Sequence, residues 1–341
     1  MKLILSTLLF SCFFLTHNAL AINPDAGLRY INSRGKVLCG TNLDAPAFAS
    51  QDENGMWKGF DVDICKAFAA AILGDTNKFQ MVDVRADQAG NALTTGQVDI
   101  MLGGQTLAAS AEARGKAVPA AVLYYDKQIF LARQISQSNS LEDYKNAMVC
   151  VVAGSNDANN VEEFSNKHDL NLKMLTFNSE LRAKQAFLLN RCQMLTGNKI
   201  YLQGVWEKHF QDNPDVKIIP DYLALKPVYV LVARDNPKFQ SIARWIINSL
   251  QLAEMYGINS QNIKVQIGLK NSSQRNLLGA NPKLWNQFGL RPDWVKMALA
   301  KIGNYGEIFE RNFGQYSTLQ INREENDYLK NGGLLNPLPF L

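Results

Sequence analysis

Val37-Leu38-Cys39-Gly40, Gly59-Phe60-Asp61-Val62-Asp63-Ile64-Cys65 and Val98-Asp99-Ile100-Met101-Leu102 decide the fold class of this chain. The first is a short apolar run ending in glycine, the pattern of a buried strand. In the second, Asp61 can cap a helix in which Val62, Cys65, Ala69 and Ile72 recur at helical spacing, with Gly74 as its stop. Asp52-Glu53-Asn54-Gly55 is the turn of a hairpin. Phe79-Gln80-Met81-Val82-Asp83-Val84 reads as a further strand, and residues 86–95 as a helix ended by Gly96. Strands that alternate with helices at this pace predict a parallel sheet.

A second series follows the polar bridge 134–140. Residues 147–153 read as a strand running into Gly154-Ser155-Asn156-Asp157, then a helix over 158–168, a strand over 172–177, a helix over 180–190 and a short strand over 192–196. A strand over 228–233 closes this half. The stretch 239–256 is an amphipathic helix with Ile242, Trp245, Ile246, Ser249 and Leu250 on one side, and two more aromatic-rich helices fall within 285–313. The pattern predicts two α/β lobes joined by two crossings of the chain. Length agrees, since 341 residues exceed the ~250–300 at which single cores stop growing.

Composition excludes several functions. With 47% apolar and 19% charged residues the chain is globular, and a net charge of +4, scattered along it, is no nucleic-acid footprint. Outside the leader only His168 and His209 remain, which excludes a His-rich metal centre and leaves little material for a Ser-His-Asp triad. Met1-Lys2, the apolar run 3–15 and Ala19-Leu20-Ala21 form a secretory signal cut after Ala21, too short for a membrane span of ~20 residues. Leu9-Phe10-Ser11-Cys12 offers the alternative of a lipobox acylated at Cys12, although the apolar run continues past it. The four remaining cysteines read as two disulfides with three possible pairings, and without a C-x-x-C they make no zinc tetrathiolate.

Further stretches extend the pattern: Gly96-Gln97-Val98-Asp99, Tyr124-Tyr125-Asp126, Val149-Cys150-Val151 with Gly154, Asn190-Arg191-Cys192, and Gly303-Asn304-Tyr305-Gly306-Glu307-Ile308-Phe309-Glu310-Arg311-Asn312. In this order, over nearly all of the chain behind the leader, they resemble the exported solute-binding proteins of polar amino-acid ABC transporters, most of all the general L-amino-acid-binding branch. The resemblance implies an α/β, type II periplasmic binding protein fold, with a ligand cleft between two lobes joined by two hinge crossings. Residues 22–133 and 234–341 would form the first lobe, including a C-terminal helical extension, and 134–233 the second. The hinge would lie at Leu131-Ala132-Arg133 and Val232-Ala233-Arg234. On that division Cys39 pairs with Cys65 and Cys150 with Cys192, because any other pairing would staple the lobes together. The resemblance also implies a periplasmic monomer that passes a small polar solute to an ABC permease in the inner membrane, with no cofactor, metal or nucleic-acid partner.

Relatives hold an amino acid's carboxylate with an Arg in the pattern T-x-T-x-x-R, where guanidinium and helix N-terminus act together. In Gly103-Gly104-Gln105-Thr106-Leu107-Ala108-Ala109-Ser110-Ala111, Thr106 takes the first position but Ala108 and Ala111 replace the second Thr and the Arg. Arg114, three residues on, reads as a solvated side chain. The acid that holds the amino group belongs to a C-D-V-x-x-x-D pattern; here the stretch is Cys192-Gln193-Met194-Leu195-Thr196-Gly197-Asn198, and Asn198 stands in its place. The resemblance leaves Asp44, Phe48, Gly104, Thr106 and Tyr125 from the first lobe and hinge, with Gly154, Ser155, Asn156, Thr196 and Asn198 from the second. Phe48 aligns with an aromatic that covers ligands, with packing inside the lobe as the alternative. Gly154-Ser155-Asn156 opens a helix and offers N–H donors to an anion or carbonyl, or serves as a plain N-cap. Asp44 and Asp157 could receive a cation. Loss of both anchors predicts a neutral, cationic or larger ligand instead of an ordinary amino acid. A ligand-free envelope scaffold, adhesin or sensor module on the same fold is the alternative, and no paired-carboxylate signature points to an enzyme.

Overall fold

Two long strands tie this protein together: β6 (Ala117–Arg133) and β10 (Val216–Ala233). The structure, a computed structural model, describes residues 26–43, 45, 47–106, 112–113, 115–134, 141–263 and 271–340. The leader with Cys12 and Ala21, and also Asp44, Ala108, Ala111 and Arg114, lie outside the described residues.

β6 pairs antiparallel with β10 from Ala117↔Ala233 to Arg133↔Val216. Three strands extend this ribbon at one end: β1 (Val37–Thr41), flanked by β4 (Phe79–Asp83) and β5 (Ile100–Met101), with Leu231 of β10 beside Met101 of β5. Three extend it at the other: β7 (Met148–Val152), flanked by β8 (Lys173–Phe177) and β9 (Met194–Asn198), with β9 antiparallel to β6. The order is therefore β4-β1-β5-β10-β6-β9-β7-β8, and a separate hairpin joins β2 (Ser50–Gln51) to β3 (Trp57–Lys58). Within each outer trio the strands run parallel, as alternation with helices predicts.

The ladder sets the two segments of the expected hinge apart. Leu131 and Ala132 pair with Leu195 and Met194 of β9, whereas Val232 and Ala233 pair with Val118 and Ala117 beside β5. The two segments lie at opposite ends of one ribbon. The midpoint carries the change of neighbours, around Asp126↔Lys226 and Tyr125↔Pro227. Neither the 117–133 strand nor the first half of β10 is legible in local pattern. Pro119, Pro220 and Pro227 interrupt the runs, and register shifts near Ile218, Tyr222 and Val228 accommodate them.

The first core surrounds the helix Phe60–Leu73, almost wholly buried. Trp285, Trp294, Tyr305, Phe309 and Phe313 of the C-terminal extension join it with no measurable exposure, so this extension packs with β1 and its neighbours. Ile129, Leu131, Cys150, Phe187 and Leu195 fill one core beside β9, and Phe130, Val149 and Phe164 another. Cys39 is bonded to Cys65 and Cys150 to Cys192, with Cα–Cα separations of 6.1 and 5.8 Å.

Asp61 does not cap its helix. Gly59 holds the N-cap at φ 128°, where a Cβ would come within 2.3 Å of the Phe48 carbonyl oxygen, so only glycine fits. The Asp61 carboxylate instead accepts from Thr41 Oγ1 at 2.5 Å and from the Gly103 N–H at 2.8 Å, pinning the loop after β5 to the end of β1.

Candidate ligand cleft between the two halves of the sheet

The carboxyl ends of parallel strands leave chain turns facing one another, and here two sets of such turns meet. From one set come Asn42 after β1 and Gly103-Gly104 after β5; from the other, Ser155 after β7, Glu180 after β8 and Asn198 at the end of β9. Asn42 Nδ2 donates to Glu180 Oε2 at 3.2 Å. At Gly104, φ is +72°, and a Cβ would lie 3.4 Å from Asn198 Nδ2 and 4.0 Å from the Tyr124 hydroxyl. A Cβ there would make ordinary van der Waals contact, so it is the positive φ that favours glycine at 104, where the two sides meet over the tip of Tyr124.

β6 forms the floor. Tyr124, Asp126 and Gln128 alternate with the half-buried Tyr125 and Lys127, and all three are 2% exposed or less. Gln128 Nε2 donates to the Asp157 carbonyl and to Thr196 Oγ1, both at 3.0 Å, and its Oε1 accepts from Asn160 at 2.7 Å. Burial pushes the Asp126 carboxyl up to about 7 against the opposing pull of Lys226, and burial likewise pushes Asp61 up to about 7. Burial, then the neighbouring Asp126 and Asp61, raise the Tyr124 phenol well above its ordinary value. Asp157 holds the Lys226 ammonium at 2.7 Å.

The residues expected from sequence separate into groups. Gly104 and Asn198 come together, and Thr196, 8% exposed, reaches the floor through Gln128 while donating its hydroxyl to the Ile129 carbonyl at 3.0 Å. Ser155 is an N-cap: its hydroxyl donates to the Val152 carbonyl at 2.7 Å and accepts the Ala158 N–H at 3.3 Å. Gly154 and Asn156 are exposed. Thr106 is half-buried at the end of a described stretch. Phe48 is 5% exposed, with its ring 5.1 Å from Phe313 and 6.1 Å from Tyr124. The C-terminal extension covers that ring. Tyr125 is held through its backbone, its N–H donating to Asn326 Oδ1 at 2.6 Å and its carbonyl accepting from Asn326 Nδ2 at 2.9 Å.

Sequence reasoning missed Tyr124, Asp126, Gln128 and Lys226 as floor residues. Tyr124-Tyr125-Asp126 stood out only as a motif, and nothing local says which of the three faces the cleft. The extension also reaches this crossing: Glu324 and Glu325 lie 2.9 and 2.8 Å from Lys127 Nζ, and Glu324 lies 3.4 Å from Lys199 of the helix Lys199–Phe210. Two surface cavities, of about 380 and 550 Å³, lie elsewhere, one lined by Arg182 and Arg191 and the other by Glu310 and Arg323.

Two halves built this way, meeting at strand ends over a polar floor, define a two-lobed binding protein. The chain belongs to the bacterial extracellular solute-binding proteins, family 3, which match residues 37–264. It is a solute-binding protein of the amino-acid ABC transporter family, a non-enzymatic group, with the two-lobed type II fold. It is 30% identical over 311 residues to the glutamate/glutamine/aspartate/asparagine-binding protein BztA of Rhodobacter capsulatus, covering 91% of this chain and 92% of that one. It is also 30% identical over 307 residues to the general L-amino acid-binding periplasmic protein AapJ of Rhizobium johnstonii, covering 89% of each. Among solved structures, an ABC transporter periplasmic binding protein from Brucella ovis with glutathione bound superposes with a TM-score of 0.86 at 31% identity, over 92% of this chain and 99% of that one.

Proposed function

We propose that this protein is the exported receptor of an ABC importer, closing two lobes on a small polar solute and handing it to a permease in the inner membrane. The observation that carries this reading is the meeting of Gly104 with Asn198 over the Tyr124 hydroxyl, at the carboxyl ends of β5 and β9. One lobe comprises β1, β4, β5 and the C-terminal extension, the other β7, β8 and β9. The chain crosses between them near residues 125–127 and 224–227, where β6 and β10 exchange neighbours. Hinge closure needs only a few residues of such a ribbon to bend. Residues 1–21 act as the export signal, and the two disulfides suit an oxidising compartment.

The ligand differs from an ordinary amino acid. Ala111 and Asn198 stand where the family's Arg and Asp hold a zwitterion. Each buried charge left without its partner costs about 3–5 kcal/mol, against about 8 kcal/mol for micromolar binding. The glutathione in the Brucella ovis relative supports a larger solute on this architecture. Native mass spectrometry of the protein purified from its own host weighs a trapped solute directly, and calorimetry against the twenty amino acids and glutathione tests the preference. A micromolar isotherm for an ordinary amino acid refutes the altered preference. Absence of any solute in both experiments refutes the receptor reading and favours a ligand-free module.

A further inference from the structure

The buried floor of the cleft is saturated at one end and unsatisfied at the other. Gln128 uses both ends of its amide on protein partners. Two residues back, Asp126 Oδ1 accepts from the Lys127 N–H at 2.8 Å and the Ile200 N–H at 3.4 Å, but Asp126 Oδ2 is buried with no hydrogen-bond partner among the described residues. Two residues further back, the Tyr124 hydroxyl is also buried and finds no hydrogen-bond partner among the described residues. Such atoms forgo the hydrogen bonds they would make in water, a cost that is larger for a charged group.

The charges around these atoms have a clear sign. Lys226, beside Asp126 in the ladder, gives its ammonium to Asp157, and Lys199 faces Glu324 at 3.4 Å. Asp61, whose Oδ1 is likewise buried with no hydrogen-bond partner among the described residues, and Glu180 act on Tyr124 from its other neighbours. Both lysines that act on Asp126 are thus shared with other carboxylates, and among the described residues the floor keeps more acid than these two cations neutralise. Asn198 lies on the strand next to Asp126, since it pairs with Gln128, and the Ile200 N–H that reaches Asp126 is two residues beyond it. The acid lost at position 198 has a counterpart one strand over.

We propose that Asp126 is the specificity-determining residue of this cleft, receiving a cationic group of the solute, a primary ammonium or a guanidinium, in place of the acid replaced by Asn198. This rests on the reading of the chain as a solute receptor. The cation's N–H donors satisfy Asp126 Oδ2 and can also reach the Tyr124 oxygen, whose lone pairs are free to accept. Among the described residues, Lys226, Lys199 and Tyr124 are the titratable groups facing Asp126 from β10, from the helix Lys199–Phe210 and from its own strand. With its carboxyl poised near neutrality in the free protein, arrival of a cation ionises Asp126 and releases a proton.

The test compares the full-length wild type with Asp126→Asn. Native mass spectrometry reads the solute each retains, and calorimetry uses agmatine and glutathione as cation-bearing probes and succinate as the cation-free comparator. Titration in two buffers of different ionisation enthalpy counts protons. The expected result is wild-type binding of a cation-bearing probe with proton release, no binding of succinate, and a loss of about 100-fold or more in Asp126→Asn without proton release. The variant removes only a buried charge, so its ligand-free melting temperature should not fall. Equal retention and affinity in both proteins, or preference for succinate, overturns the role of Asp126 while leaving the receptor reading intact. A wild type that retains and binds nothing overturns both.

Discussion

Phe313→Ala tests whether the C-terminal extension supports the cleft or merely decorates the lobe. Phe313 has no measurable exposure, and its ring lies 4.7 Å from Phe60, 5.1 Å from Phe48, 5.5 Å from Phe309 and 5.8 Å from Tyr124. Truncating a buried Phe typically costs about 3–5 kcal/mol, through lost transfer energy and the cavity left behind. Four aromatic neighbours, anchored on different elements, limit collapse of that cavity, which places the loss in the upper part of this range. Urea unfolding followed by tryptophan fluorescence reads it as a lower midpoint with an unchanged slope. Because the ring backs Tyr124, affinity for the co-purified solute should fall as well. A loss below about 1 kcal/mol would mean that the ring is not enclosed, which would refute the packing of the extension against the first core.

Asn326→Ala removes the side chain that bridges the Tyr125 N–H and carbonyl; it should cost about 1–3 kcal/mol in the same urea assay, since both backbone groups lose a partner. Ala111→Arg with Asn198→Asp restores both zwitterion anchors, so micromolar binding of an ordinary amino acid should appear by calorimetry; continued silence would point to a cleft altered beyond its anchors. Raised carboxyls at Asp61 and Asp126 stabilise the fold only while protonated, so their contribution is full below about pH 4 and is lost as pH rises through about 7. At about 1.4 kcal/mol per unit this is at most about 4 kcal/mol per residue. Asp61→Asn and Asp126→Asn should each flatten the decline in ligand-free stability between pH 4 and 7, and an unchanged pH profile by thermal melting would count against the burial of that carboxyl.

Local sequence pattern determined the alternating strands and helices of each half, because apolar periodicity and glycine stops act over a dozen residues or fewer. The run 37–102 carries that signal almost complete, and the substitution of Asn198 for an acid is visible in the chain alone. β6 and the beginning of β10 escaped because prolines and charges break their pattern, while pairing with each other sustains them as strands. The helix Lys199–Phe210 escaped as well, since its apolar residues mark no clear face. At the cleft the division is sharper. Phe48 reads as a ligand-covering aromatic, and only the fold brings Phe313, far along the chain, against its ring. Tyr124, Asp126 and Gln128 look like interruptions until Asn326 clamps Tyr125 and orders the strand on which they share a face. Burial is a property of what lies opposite, and here what lies opposite comes from 201 residues away at Asn326 and from further still at Phe313; only the tertiary structure could decide which polar side chains line the cleft.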